Sequence, residues 1–73
     1  MKNGSDSDKT LSDVLAQFEH GYTGEGEKLH EALDRAWEKA TKSSEHRVFR
    51  VQEIFVTGEN PISGYGVVIS PTG

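Results

Sequence analysis

Apolar positions recur along this chain with two different spacings, and each spacing marks a kind of element. Between about Glu25 and Lys42, the residues Leu29, Ala32, Leu33, Ala36, Trp37 and Ala40 fall at i, i+3, i+4, i+7, i+8 and i+11, which is the stripe of an amphipathic helix. Its polar face places Glu31 four residues before Arg35 and Glu38 four before Lys42, the acid-first order that supports a helix. Glu25 and Glu27 would then sit at the positive end of the helix dipole. Three alanines in the stripe let the helix lie close to what it covers, and Leu29, Leu33 and Trp37 supply the larger side chains.

Beyond Ser43-Ser44-Glu45 the spacing changes. HRVFRVQEIFVTG is rich in β-branched and aromatic residues and is followed by Glu59-Asn60-Pro61 and ISGYGVVIS, which predicts a β-hairpin from Arg47 to Ser70. Pro61 has no N–H and belongs to the turn, where Gly58 and Asn60 can take positive φ. Strict alternation in the first hairpin strand puts Phe49, Val51, Glu53 and Phe55 on one face, and Val48, Arg50, Gln52, Ile54 and Val56 on the other. Phe49 and Phe55 beneath Trp37 would form the core under the helix. One helix covers one face of a small sheet, so the valines and isoleucine of the opposite face call for cover from another chain. In a chain of 73 residues without cysteine, self-association is a common source of that cover, and a homo-oligomer is expected.

The segment from Thr10 to His20 satisfies two templates. Leu11, Val14, Leu15 and Phe18 have helical spacing, while Val14, Ala16 and Phe18 alternate as in a strand. Thr10 with Asp13 three residues later suits a helix N-cap, and Gly21 suits its end. GYTGEG, with Gly21, Gly24 and Gly26, is expected to be a connection. Residues 1–9 lack large apolar side chains apart from Met1 and are expected to form a disordered tail. The expected fold is therefore a single α+β domain over residues 10–73, one amphipathic helix packed on a small antiparallel β-sheet. Its order is β-α-β-β if the first segment is a strand and α-α-β-β if it is a helix.

Charge narrows the function. Residues 1–46 carry 6 basic and 10 acidic side chains, and residues 47–73 carry 2 of each, so no cationic footprint for nucleic acid is present. No run approaches the roughly 18 apolar residues of a membrane span, and MKNGSDSDKT lacks the apolar centre of a signal peptide, so a cytoplasmic location is expected. The absence of cysteine excludes disulfides, thiolate metal sites and a cysteine nucleophile.

ALDRAWEK (Ala32 to Lys39), FRVQEI (Phe49 to Ile54) and GYGVVI (Gly64 to Ile69) together resemble the helix, second strand and third strand of the dodecins, small β-α-β-β proteins that form hollow dodecameric shells and often bind flavins. The resemblance spans about twenty residues and implies that the segment from Thr10 to His20 is the first strand. The family's flavin binders carry a Trp in the second strand, where Val51 stands here, and a Gln after the Tyr of the third strand, where Gly66 follows Tyr65. The resemblance thus implies an assembled small-molecule binding or storage protein whose flavin contacts are missing; no resident cofactor is expected from the residues, and a flavin is implied by the family resemblance alone. The alternative is a structural or adaptor domain that pairs its sheet face with another protein.

Other candidate chemistry is sparse. Glu27, His30 and Asp34 lie on adjacent turns of one helix face, an arrangement that a solvated polar surface also produces, and no metal site is assigned. His20 and His46 have no nucleophile or orienting partner at a recognisable spacing. GYTGEGEK lacks the G-x-x-x-x-G-K-[ST] spacing of a phosphate loop, so no enzyme activity is assigned. The ligand or interface candidates are Trp37, Val51, Tyr65 and Gly66. Tyr65 stands first, because its flanking glycines permit close approach by another backbone or a flat ligand.

Overall fold

The computed structural model describes residues 10–72. The expected tail at residues 1–9 lies outside the described residues. The order is α1 (Leu11–Leu15), β1 (Tyr22–Gly26), α2 (Leu29–Ser43), β2 (Phe49–Gly58) and β3 (Ile62–Pro71). The three strands form one antiparallel sheet in the order β1-β3-β2, with α2 lying over β1 and β3. One main helix on a small antiparallel sheet is the α+β arrangement that the hydrophobic pattern predicts.

Thr10 opens α1 with a capping box: the Asp13 N–H donates to Thr10 Oγ1 at 3.2 Å, and the Thr10 N–H donates to Asp13 Oδ2 at 3.1 Å. These bonds satisfy backbone donors that the first turn would otherwise leave free. The helical alternative for this segment is the one adopted, but the α-α-β-β order expected to follow from it is not. A strand appears where a connection was expected, at Tyr22–Gly26, with Tyr22 opposite Ile69 and Gly26 opposite Tyr65.

The physical reason lies at Gly24, which is buried. A Cβ there would overlap the Ala32 carbonyl oxygen and come within 2.5 Å of the Ala36 nitrogen, so the glycine is what lets β1 and α2 approach. Low strand propensity is outweighed by this packing and by pairing with β3. The start of α2 moves accordingly, from the expected Glu25 to Leu29, because Glu25 and Gly26 are committed to the sheet. Arg35 Nη1 donates to the Glu25 carbonyl, 2.6 Å, and Ser12 Oγ donates to Glu25 Oε2, 2.8 Å. Both helices are thereby tied to the edge strand.

Ala32, Ala36 and Ala40 are fully buried with Val67 and Ile69, and Tyr22, Leu33, Phe49 and Tyr65 pack around them. The opposite sheet face is not bare. Leu11 and Leu15 of α1 rest over Gly66, where a Cβ would lie 2.8 Å from Leu11 Cδ1. Phe18 meets Phe55 there, with ring centroids 5.7 Å apart. Of the two helical ion pairs expected, Glu38–Lys42 forms at 3.8 Å between exposed groups, whereas Arg35 turns to Glu25 and Glu31 accepts from the Glu27 N–H.

β2 departs from strict alternation. Val51 faces Ile69 and Glu53 faces Val68, so Gln52 is an extra residue, a β-bulge. Past the bulge every side chain changes face. Phe49, Val51, Ile54 and Val56 share the α2 side with Tyr65, Val67 and Ile69, and Phe55 goes to the α1 side. The expectation that Phe49 and Phe55 share a face, with Ile54 and Val56 opposite, is corrected accordingly.

Candidate functional site

The helix stripe divides by side-chain size. Its alanines meet β1 and β3, and its larger members lean toward β2. Trp37 reaches across to Phe49 in an edge-to-face contact with centroids 5.3 Å apart, and Phe49 makes a second such contact with Tyr22 at 6.1 Å. Edge-to-face geometry directs the positive rim of one ring at the negative face of another. Between α2 and β2 an open cleft of about 430 Å³ remains, lined by Leu33, Asp34, Trp37, Phe49, Val51 and Ile69.

The cleft continues into an exposed apolar strip. Trp37 is 41% exposed, Val51 45%, Ile54 52% and Val56 55%. The last three project from one strand face beside the helix, which passes over β1 and β3 instead. Single exposed apolar side chains are ordinary on a protein surface, but a row rimmed by polar residues marks a site of contact. Among the described residues, Val51, Ile54 and Val56 thus form one exposed apolar row on the α2 side of β2, with Val48 and Ile62 exposed nearer the ends of the hairpin. The bulge at Gln52 is the cause, since it carries Ile54 and Val56 across the sheet.

Of the four residues singled out in the sequence, Trp37 and Val51 line the cleft together, and Tyr65 lies on the same sheet face, packed against the alanine cluster. Gly66 lies on the other face. Close approach to it comes from Leu11 and Leu15 of the same chain, so the opening expected there for a flat ligand is filled internally. Leu33 and Asp34, a core-stripe and a polar-face position by their spacing, line the cleft as well. The signal was present in their spacing, since positions 33, 34 and 37 occupy neighbouring points on one side of a helix, but the side on which β2 lay was not readable.

A second cleft of about 400 Å³ lies along the outer edge of β1, lined by Thr23, Gly24, Glu25, Arg35, Glu38 and Lys39. Arg35 donates to the Glu25 backbone carbonyl, the Glu25 carboxylate accepts from Ser12 Oγ, and Glu38 pairs with Lys42, which lies outside the cleft. Among the described residues, no three His, Asp or Glu side chains are grouped to hold a metal ion, and no helix is long and apolar enough to cross a membrane. His20 and His46 are both exposed. The first cleft presents an apolar and aromatic wall with one carboxylate, the kind of lining that suits an apolar ligand body. No protein-family model matches the chain, and neither a curated protein nor a solved structure gives a significant match.

Proposed function

We propose that the protein is a non-enzymatic, homo-oligomeric small-molecule binding or storage protein of dodecin-like design, without the flavin contacts of that family. The observation that carries this reading is the apolar strip of Val51, Ile54 and Val56 beside Trp37, exposed in the single chain. At 73 residues the core is small, and burying such a strip against a second copy adds apolar area that the domain otherwise lacks. Ile54 and Val56 lie outside the Trp37 cleft, whereas Val51 belongs to both strip and cleft, so the contact between copies adjoins the ligand site in this reading. From Tyr22 onward the element order is β-α-β-β, the order that the dodecin resemblance implies, although the first strand is Tyr22–Gly26 and not the segment from Thr10 to His20. Val51 lines the cleft without a π-face to stack on a flavin ring. Tyr65 stands on the same side with no glutamine after it.

The test is size-exclusion chromatography with light scattering on the full chain, with absorbance recorded across the peak. A defined homo-oligomer without flavin-like visible absorbance is expected. A monomer at tens of micromolar would overturn the assembly. A second reading, an adaptor that adds a strand of another protein to its sheet, is favoured by one observation: among the described residues β2, ten residues long, pairs with β3 alone and forms an edge of the sheet.

A further inference from the structure

We infer that the Trp37 cleft takes an organic cation with an apolar body, such as an aromatic or quaternary ammonium. This rests on the proposed small-molecule binding role and names the class of ligand for that site. The cleft wall pairs the Trp37 and Phe49 rings edge to face, and an indole presents a negative π-face that attracts a cation placed over it. Leu33, Val51 and Ile69 complete an apolar surface suited to the body of the ligand. The one ionisable side chain among the six that line the cleft is a carboxylate, Asp34. It lies one helical turn from Trp37, on the same side of α2.

No cation competes for that position among the lining residues. Arg35, the next residue, is turned to the opposite side of α2, where it donates to the Glu25 carbonyl, and Lys42 pairs with Glu38. The sign of the site is therefore set locally. An anion would meet Asp34 with no positive group to offset it, whereas a cation meets a carboxylate and an aromatic face together. Each contribution is modest in an open cleft, and their combination sets the preference.

Trp37 is the only tryptophan in the chain, so its emission reports on this cleft alone. The experiment titrates the full-length protein with benzyltrimethylammonium, its neutral carbon isostere neopentylbenzene and the anion phenylacetate, followed by Trp37 fluorescence and calorimetry. The ammonium is expected to bind about fivefold to tenfold more tightly than phenylacetate. Asp34→Asn should weaken the ammonium about threefold and leave neopentylbenzene unchanged, and Asp34→Lys should reverse the preference between the two ions. Asp34 is exposed, so neither variant threatens the fold, and circular dichroism checks this. Equal binding of all three probes, or an ammonium affinity indifferent to Asp34, would overturn the cation preference and leave small-molecule binding standing. Failure of all three to bind would remove the small-molecule role itself.

Discussion

The two flanks of α2 meet the same sheet with opposite chemistry. Toward β1 the contact is made of Gly24, Ala32 and Ala36, so small that backbone packs directly on backbone, and the cleft of about 400 Å³ beside that contact is lined mainly by polar and charged side chains. Toward β2 it is made of Leu33, Trp37, Phe49 and Val51, and a cleft of about 430 Å³ stays open. Large apolar side chains therefore do not guarantee closure. They hold the helix away from the strand on that flank, while the glycine and alanines draw it down on the other. One flank is thus packed through glycine and alanine with a polar cleft beside it, and the other carries the apolar cleft on which the proposed binding role rests.

The largest effect is expected where the closed flank is given a side chain. Gly24→Ala places a methyl carbon against the Ala32 carbonyl and within 2.5 Å of the Ala36 nitrogen, atoms of the helix backbone that cannot rotate away. Overpacking of this kind costs about 3 kcal/mol, comparable to the whole stability a single core of this size supplies. Urea denaturation should show the variant largely unfolded. A stable Gly24→Ala protein would mean that the closed flank is looser than described, and the contrast between the flanks would dissolve.

Gly66→Ala sharpens the comparison from the other face. The added carbon would lie 2.8 Å from Leu11 Cδ1 and 3.0 Å from Leu15 Cδ1, side-chain ends on a helix of five residues that can shift. The expected loss is about 1–2 kcal/mol, smaller than at Gly24 because the obstacle is flexible. Thr10→Ala follows at about 1 kcal/mol, through loss of the Oγ1 acceptor for the Asp13 N–H, while the backbone N–H of residue 10 still donates to the Asp13 carboxylate. Hydrogen exchange should show that loss confined to α1, with the amides of β3 still protected.

Much of this arrangement was legible in the residues, and the exceptions share a cause. The α2 stripe and the hairpin were readable because their apolar periods run over many residues and agree with local propensity. β1 was not. Three glycines in YTGEG and the residues around it look like a connection, and only the nearness of Ala32 and Ala36 explains why glycine suits a strand there. The faces of β2 were misread for a different reason: one extra residue at Gln52 inverts everything beyond it, and nothing in FRVQEIFV announces where a bulge will fall. The site inherited both difficulties. Trp37 and Val51 were singled out and do meet in the cleft, whereas Gly66 went to the opposite face and Asp34 was passed over as an ordinary polar position.

The smallest effect on a single chain, and the most informative one for assembly, is expected from Ile54→Thr. Ile54 is half exposed on the open side, opposite Val67, and threonine keeps the β-branch that suits a strand. Its cost to the isolated fold should be about 0.5 kcal/mol, the range of ordinary surface substitutions. If a second copy covers the strip, the same hydroxyl is placed in an apolar interface without a partner, and the cost of association is then that of a buried unpaired polar group, about 1–3 kcal/mol. Denaturation at low concentration and light scattering across a dilution series separate the two quantities. Weakened assembly with nearly unchanged single-chain stability would assign the β2 strip to the contact between copies. Unchanged assembly would return Ile54 to the solvent and leave the apolar flank to the proposed ligand role alone.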